Sequence, residues 1–385
     1  MHILVTSPIP SHPQNHGNRA RVYSLCRMLQ RHGAVIHYVY GGLEELPEKQ
    51  ELAMREAWDH VHILPPYRSH QDRMSGGGHH TIDDWYVEEV TALTKRILSI
   101  WRIDYCLANY VWFSKWLEQV PEGIPKYIDT HDVFAERHQR LERDGLTPSW
   151  FSTTAVEESK GFNRADTVIA IQSEEAREFS GRTKADVATL GHFVETDFLD
   201  PRIVSPGAKI RVGYLASGNP INQQSLVLFD KSLAKYPQLA DRFEFILAGD
   251  ICGSAAAADT KFHKAGFVED IREFYEGLDL VINPNIGGTG LKIKSIEAMA
   301  YGKPLIATAD AMVGIESDHR DHSLKTTDAM CEHLAEFVTP GALPDLAAAS
   351  RQIITHYIDE QKQAFELLFP GLLSVEPATS RDMNK

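Results

Sequence analysis

The sequence predicts an α/β protein made of two doubly wound domains in tandem, facing each other across a cleft. Three observations predict it. The chain has 385 residues, more than one growing hydrophobic core accommodates, so two α/β domains of ordinary size are expected. Short apolar runs alternate with segments of helical period from the first residues onward, the pattern of parallel strands joined by crossover helices. The alternation lapses over residues 193–209, where Pro201 and Pro206 fall, and then resumes. Open sheets of this kind place their ligand-binding loops at the carboxyl ends of the strands, which is why two in tandem are expected to enclose a cleft.

In the first half, strands are expected at residues 2–7, 35–40, 61–64, 105–109, 126–129, 167–171 and 187–190, with helices at 18–32, 84–101 and 150–164. In the second half, strands are expected at 210–215, 243–248, 280–283 and 305–308, with helices at 222–236, 270–278 and 293–301. A last helical pattern covers 345–368 and is stopped by Pro370-Gly371. The domains are therefore drawn at 1–195 and 196–350, with residues 351–385 forming a C-terminal helix and a polar tail. The glycine-rich stretch at 68–80, with Gly76-Gly77-Gly78-His79-His80, reads as a flexible loop. Its adjacent histidines lack the spacing of a helical metal site.

A formal net charge of -14 opposes binding to a nucleic-acid backbone, so no nucleic-acid partner is expected. It does not oppose a nucleotide, whose phosphates a few backbone amides and cations can hold. Cys26, Cys106, Cys252 and Cys331 are scattered singly, which suits a reducing compartment and a cytoplasmic protein. The opening Met1-His2-Ile3-Leu4-Val5 reads as a strand rather than a secretion signal. No run of about eighteen apolar residues occurs, so any membrane contact is expected to be peripheral.

Dinucleotide dehydrogenases share the tandem logic, but the first strand here runs into Ser7-Pro8-Ile9-Pro10-Ser11-His12-Pro13-Gln14-Asn15-His16-Gly17 and lacks their glycine fingerprint. Chemistry concentrates instead in Asn283-Pro284-Asn285-Ile286-Gly287-Gly288-Thr289-Gly290-Leu291-Lys292-Ile293-Lys294-Ser295-Ile296-Glu297-Ala298-Met299-Ala300-Tyr301-Gly302-Lys303-Pro304. A strand leads through a glycine loop into a helix, which aims unpaired amides and the positive end of the helix dipole at an anion. Gly287, Gly288 and Gly290 allow close backbone approach, Lys292 and Lys294 add charge, and Glu297 is placed to accept from a vicinal diol such as ribose. An ordinary glycine turn before a surface helix is the alternative reading of these residues alone.

The stretch from Gly288 to Pro304 resembles the donor-site signature of the group-1 glycosyltransferases, the retaining GT-B enzymes of glycosyltransferase family 4. Gly266-Phe267-Val268-Glu269-Asp270 with Phe274-Tyr275-Glu276-Gly277-Leu278-Asp279 resembles the family's segment beside the nucleotide base. Val212-Gly213-Tyr214 and Ala248-Gly249-Asp250 resemble its glycine-ended strands. Gly17-Asn18-Arg19 resembles the loop facing the donor phosphates, and Asp129-Thr130-His131-Asp132 the catalytic-histidine region.

The resemblance implies a GT-B fold of two Rossmann-like domains, the first for the acceptor and the second for the donor, with the final helix returning to the first. It implies transfer of a hexose-type sugar from a nucleoside diphosphate sugar, with retention and without a metal or other cofactor, in surface glycan or glycoconjugate synthesis. The acceptor, a glycan, a lipid-linked group or a protein, stays open. It places His131 at the reaction and Gly17, Asn18, Gly287, Gly288, Thr289, Gly290, Leu291, Lys292, Lys294 and Glu297 at the donor.

Two departures stand out. Thr289 occupies the place of the first of two glutamates with seven residues between them, and Ser217-Gly218-Asn219-Pro220-Ile221-Asn222 replaces an Arg and Lys pair that holds the diphosphate. A sugar-nucleotide epimerase, an inverting transferase and a nucleotide-sugar-binding protein without turnover are the alternatives these departures leave open. On the residues alone, Asp129 to Asp132 reads equally as a turn or cap, and Trp101, Trp112, Trp116 and Trp150 read as core.

Overall fold

The computed structural model describes residues 1–67, 74–202, 204–205 and 207–372. The chain divides into two compact units, Met1–Phe193 together with the chain from Gln361 onward, and Val194–Glu360.

The first unit carries a seven-stranded sheet of β1 (His2–Ser7), β2 (Val35–Tyr40), β3 (His60–Ile63), β4 (Tyr105–Asn109), β5 (Lys126–Asp129), β6 (Thr167–Ala170) and β7 (Asp186–Thr189). The order is β3-β2-β1-β4-β5-β6-β7 and every neighbouring pair is parallel. Crossovers run through α1 (Gly17–Arg31), α2 (Glu48–Ala57), α3 (Glu88–Ile100), α4 (Arg137–Arg143), α5 (Ala155–Phe162) and α6 (Ser173–Ser180). Helix α1 shows why the sheet is covered: Val22, Leu25, Cys26 and Leu29 recur at helical spacing and are all buried.

The second unit repeats the winding with β8 (Ile210–Leu215), β9 (Phe243–Ala248), β10 (His263–Gly266), β11 (Leu280–Asn283) and β12 (Leu305–Ala307), in the parallel order β10-β9-β8-β11-β12. Its helices are α7 (Pro220–Leu233), α8 (Leu239–Arg242), α9 (Ile271–Glu276), α10 (Ile293–Ala300), α11 (Thr327–Glu336) and α12 (Leu343–Leu368), whose residues from Gln361 onward belong to the first unit. Helix α7 starts where Asn219 accepts from the Asn222 N–H at 2.8 Å and Pro220 occupies the first turn. In both sheets the winding reverses beside the first strand, between β1 and β4 and between β8 and β11. Ligands of doubly wound sheets bind outside the carboxyl ends of the strands at that reversal.

Seven of the expected strands begin and end at the expected residues, and the others shift by a residue. Two helices, α3 and α5, start four and five residues later than expected, each for a local reason. The Asp84 carboxylate accepts from the backbone of Ser75 and Thr81 and from both their hydroxyls, closing a turn ahead of α3. Trp150 has a left-handed backbone, φ 66°, and Thr153 bridges Ala135, so α5 waits until Ala155. The expected flexible loop is only partly within view: residues 68–73 lie outside the described residues, while His80 is buried and stacked on Phe151 at 4.9 Å. The expected connector at 193–209 is tied down in part, because Asp197 and Leu199 donate backbone bonds to Ala300 and Tyr301 at 2.9 and 3.0 Å.

The stretch 365–372 belongs to the first core. Phe365, Leu368, Phe369 and Leu372 join its buried cluster, and the Tyr127 hydroxyl donates to the Leu368 carbonyl at 2.8 Å. The polar tail expected to follow lies outside the described residues.

Within the same unit, Arg21 of α1 is fully buried and donates to both oxygens of Asp129, itself fully buried, at 3.0 Å each. Its remaining donors reach the carbonyls of Leu190, at 2.8 Å, and Gly191. Burial pushes the Asp129 carboxyl up, but Arg21 and then His131 more than offset it, so the group stays below its ordinary range and ionised. Removing the cation alone should leave a buried carboxylate uncompensated: Arg21→Met is expected to lose about 3–5 kcal/mol of unfolding free energy, and Arg21→Met with Asp129→Leu to recover at least half of it. Denaturant titration of the three variants checks this, and a double variant less stable than Arg21→Met would contradict it.

Candidate functional site

The predicted residues fall into two sets, one in each unit, and each set gathers where its sheet winding reverses. In the first unit, β4 ends at Asn109 and β5 at Asp129. Asn109 donates from Nδ2 to the Thr6 carbonyl of β1 at 3.0 Å, which turns its Oδ1 toward the end of β5. There it meets His131 Nε2 at 2.9 Å. Because the amide oxygen can only accept, the hydrogen of the neutral imidazole belongs on Nε2, and Nδ1 is left as an acceptor with no partner among the described residues. Asp129 Oδ2 stands 3.4 Å from the same Nε2. Burial holds the His131 pKa down to about 4, so the ring is neutral near pH 7 in spite of Asp129.

The His131 backbone is left-handed, φ 64°, as is that of Tyr110, φ 70°. The two rings stack face to face, with centroids 4.2 Å apart and planes 9° from parallel. Asn18, in the first turn of α1, donates to the Tyr110 hydroxyl at 3.1 Å, so Asn18, Tyr110 and His131 form one cluster. Gly17 opens α1 beside it, exposed. The loop after His131 is held from below by Glu158 of α5, whose Oε1 accepts from the Phe134 N–H at 2.7 Å and whose Oε2 pairs with Arg182 at 2.8 Å. Trp112 and Trp116 are fully buried, as core packing requires, whereas Trp150 keeps part of its surface in solvent.

In the second unit, β11 leads into the glycine loop. Gly287, Gly288 and Gly290 all have positive φ, 74°, 78° and 78°. At Gly288 a Cβ would lie 2.6 Å from Ile221 Cδ1, so both conformation and space call for glycine. Asp310 accepts from the Gly287 N–H at 2.7 Å and Ser225 from the Ile286 N–H at 3.1 Å, fixing the loop's entry. Thr289 is exposed at the tip and Leu291 is buried. Helix α10 then begins at Ile293 with neither a capping side chain nor an acidic residue in its first turn. Its positive end is not neutralised by its own sequence.

The two lysines point inward rather than into the solvent. Lys292 Nζ donates to the carbonyls of Gly288, Thr289 and Gly290 at 3.0–3.1 Å, gathering the loop around itself. Lys294 Nζ donates to Asn285 at 2.7 Å and to Asn222, and lies 5.1 Å from the centre of the Tyr214 ring. Burial, and then Lys292, hold its pKa well below the ordinary lysine value. Glu297, one turn into α10, is half-buried and has no hydrogen-bond or ion-pair partner among the described residues. Burial raises its pKa to about 7.

Sequence reasoning missed Arg21, Asn109, Tyr110, Asp310 and the asparagines that hold Lys294. Only Arg21 left a signal, a cation on the apolar stripe of α1. No helix of the described residues is long and apolar enough to cross a membrane.

Residues 210–353 match the family described as glycosyl transferases group 1. No curated protein matches the sequence. Among solved structures, sucrose-phosphate synthase from Thermosynechococcus elongatus superposes with TM-score 0.68 at 14% identity, over 97% of this chain and 99% of that one. HepE from Anabaena, in complex with UDP-glucose, gives 0.62 at 15% identity, over 96% and 100%. A glycosyltransferase from Rickettsia africae gives 0.57 at 12% identity, over 97% and 98%. With the glycine loop and α10 inside the matched segment, residues 210–353 belong to the group 1 glycosyltransferases, and the chain has the GT-B fold.

Proposed function

We propose that the protein transfers a hexose-type sugar from a nucleoside diphosphate sugar to an acceptor hydroxyl, with retention at the anomeric carbon and without a metal ion. The observation that carries this reading is the uncapped start of α10 behind three left-handed glycines, with the partnerless Glu297 one turn further on. The diphosphate takes the place of the missing cap, and the ribose hydroxyls donate to Glu297. Lys292 exchanges loop carbonyls for phosphate oxygens, and Lys294 adds charge from behind. That the HepE neighbour was solved with UDP-glucose supports the donor class.

In the reaction the bond from the anomeric carbon to the diphosphate breaks and a bond to the acceptor oxygen forms on the same face. The acceptor's proton goes to the departing diphosphate. Negative charge grows on that diphosphate, where the loop amides, the helix end and the lysines stabilise it most. With Thr289 in place of a carboxylate, the positive sugar ring relies on the leaving group itself. His131, neutral and open at Nδ1, accepts from a donor-sugar hydroxyl and fixes the ring. Turnover of the donor separates this reading from a binding protein, and the product's anomeric configuration separates it from an inverting transferase.

Three measurements test the assignment. Glu297→Ala is expected to weaken UDP binding by about 1–3 kcal/mol in calorimetry, the range for a hydrogen bond to a charged group. Binding selects the ionised carboxylate, while the free carboxyl titrates at about 7. UDP affinity should therefore be flat above pH 7 and fall by about tenfold per unit below it, relative to Glu297→Gln, in which that slope is absent. An identical pH profile in the two proteins would remove Glu297 from the ribose. His131→Ala should bind UDP almost normally yet transfer sugar at least about a hundredfold more slowly, about 2.7 kcal/mol of barrier. Equal losses in affinity and single-turnover rate would make His131 a simple ligand, and no loss would make it structural.

A further inference from the structure

The four non-glycine residues of the described chain with left-handed backbones, Tyr110, His131, Glu136 and Trp150, all belong to the first unit. All lie on the segments that follow β4 and β5. Backbone held in this region persists only where the surroundings over-determine it, and it concentrates at ligand-binding positions. Here the four are physically joined. The His131 ring lies on Tyr110, Tyr110 lies 5.2 Å from Trp112, and Trp112 lies 6.4 Å from Trp150, which also meets Trp85 edge-on at 5.3 Å.

Trp85 and Trp112 are 4% and 0% exposed, but Trp150 is not closed over. Its backbone is pinned on both sides: His138 Nε2 donates to the Trp150 carbonyl at 2.8 Å, and Arg137 Nη1 donates to the Ser149 carbonyl. The Glu136 N–H donates to Thr153 at 2.8 Å, tying the segment after β5 to the segment that carries the indole. The outcome is a part-exposed indole packed against two buried ones, Trp85 and Trp112, on a backbone segment pinned by Arg137 and His138.

We propose that Trp150 is a binding platform for the acceptor and that the acceptor is a saccharide, an inference that rests on the transferase reading above. A pyranose has an apolar face of C–H groups and a rim of hydroxyls, and a part-exposed, rigidly held indole is a surface on which that apolar face packs. A lipid chain would need a continuous apolar surface. The exposed large apolar residues of the described first unit are Met1, Leu52, Met74, Ile100, Trp101, Val156 and Leu367, and none lies on residues 110–113 or 131–154. The ring chain from Trp150 through Trp112 and Tyr110 to His131 fixes the platform relative to the reacting centre. Trp150 thereby becomes a specificity-determining residue for the acceptor and has no part in holding the donor.

The test uses the full-length protein, saturated with UDP, on a printed array of defined oligosaccharides. Trp150→Gly and Trp150→Phe are run beside the wild type, and UDP affinity is measured on the same preparations. Glycine removes the ring and accepts φ 66° without strain, so loss of binding in that variant is not a consequence of backbone distortion. The expected result is selective binding of oligosaccharides by the wild type, at least about tenfold weaker in Trp150→Gly and intermediate in Trp150→Phe, with UDP affinity unchanged in all three. No oligosaccharide bound by the UDP-loaded wild type, or equal binding by Trp150→Gly, overturns the platform and leaves the donor site standing. Failure of the wild type to bind UDP, with oligosaccharide binding still dependent on Trp150, overturns the donor reading and leaves the platform.

Discussion

A guanidinium and a carboxylate with no access to water, Arg21 and Asp129, are the constraint on which the first unit is organised. Two charges removed from solvent are tolerated only when their remaining hydrogen-bonding capacity is filled. Arg21 fills its own with the carbonyls at 190 and 191. The guanidinium thus ties three pieces together, the face of α1, the end of β5 and the segment beyond β7. His131 is two residues from that carboxylate, in a backbone conformation that an ordinary strand end would not adopt. Its position is inherited from the ion pair, and its neutrality from burial that the carboxylates of Asp129 and Asp132 do not overcome.

The second unit solves a different problem with weaker interactions. A glycine loop must keep its carbonyls satisfied, and Lys292 does this from inside with one ammonium group. Lys294 is held by two asparagine oxygens. The lysines therefore shape the loop before any ligand arrives, which lowers the ordering cost of binding. Glu297 is the counterpart, a carboxyl with no partner among the described residues, its pKa raised to about 7 by burial.

Much of this was legible in the sequence because the relevant signals are local. The runs at 2–7, 35–40, 210–215 and 243–248 are mostly apolar, and a strand largely buried on both faces leaves that trace. The glycine loop is likewise a local signal, since three glycines before a helix state both the conformation and its use. Strand β10 was not legible: His263, Lys264 and Ala265 are exposed on an edge and carry no apolar pattern. Helix α11 was also not anticipated, although Thr326 caps it. The site around His131 depends on pairings between residues 21 and 129, 18 and 110, and 109 and 131, and no period or spacing encodes partners so far apart. The inward turn of Lys292 and Lys294 escaped for the same reason, because the pattern fixes where a cation begins but not which oxygens it reaches.

The contribution of Phe365, Leu368, Phe369 and Leu372 to the first core bears on how the protein is made. Domains usually fold in the order in which they leave the ribosome, at about 5–20 residues per second. This chain departs from that order, since the hydrophobic floor under Tyr105 and Tyr127 is supplied by a segment synthesised after the second unit. The nascent first unit waits on the order of ten seconds or more for its own completion while the whole second unit is translated. During that interval its unfilled apolar surface is the part of the molecule that chaperones meet, and messages broken late in the reading frame yield products with two nearly finished sheets and an open core.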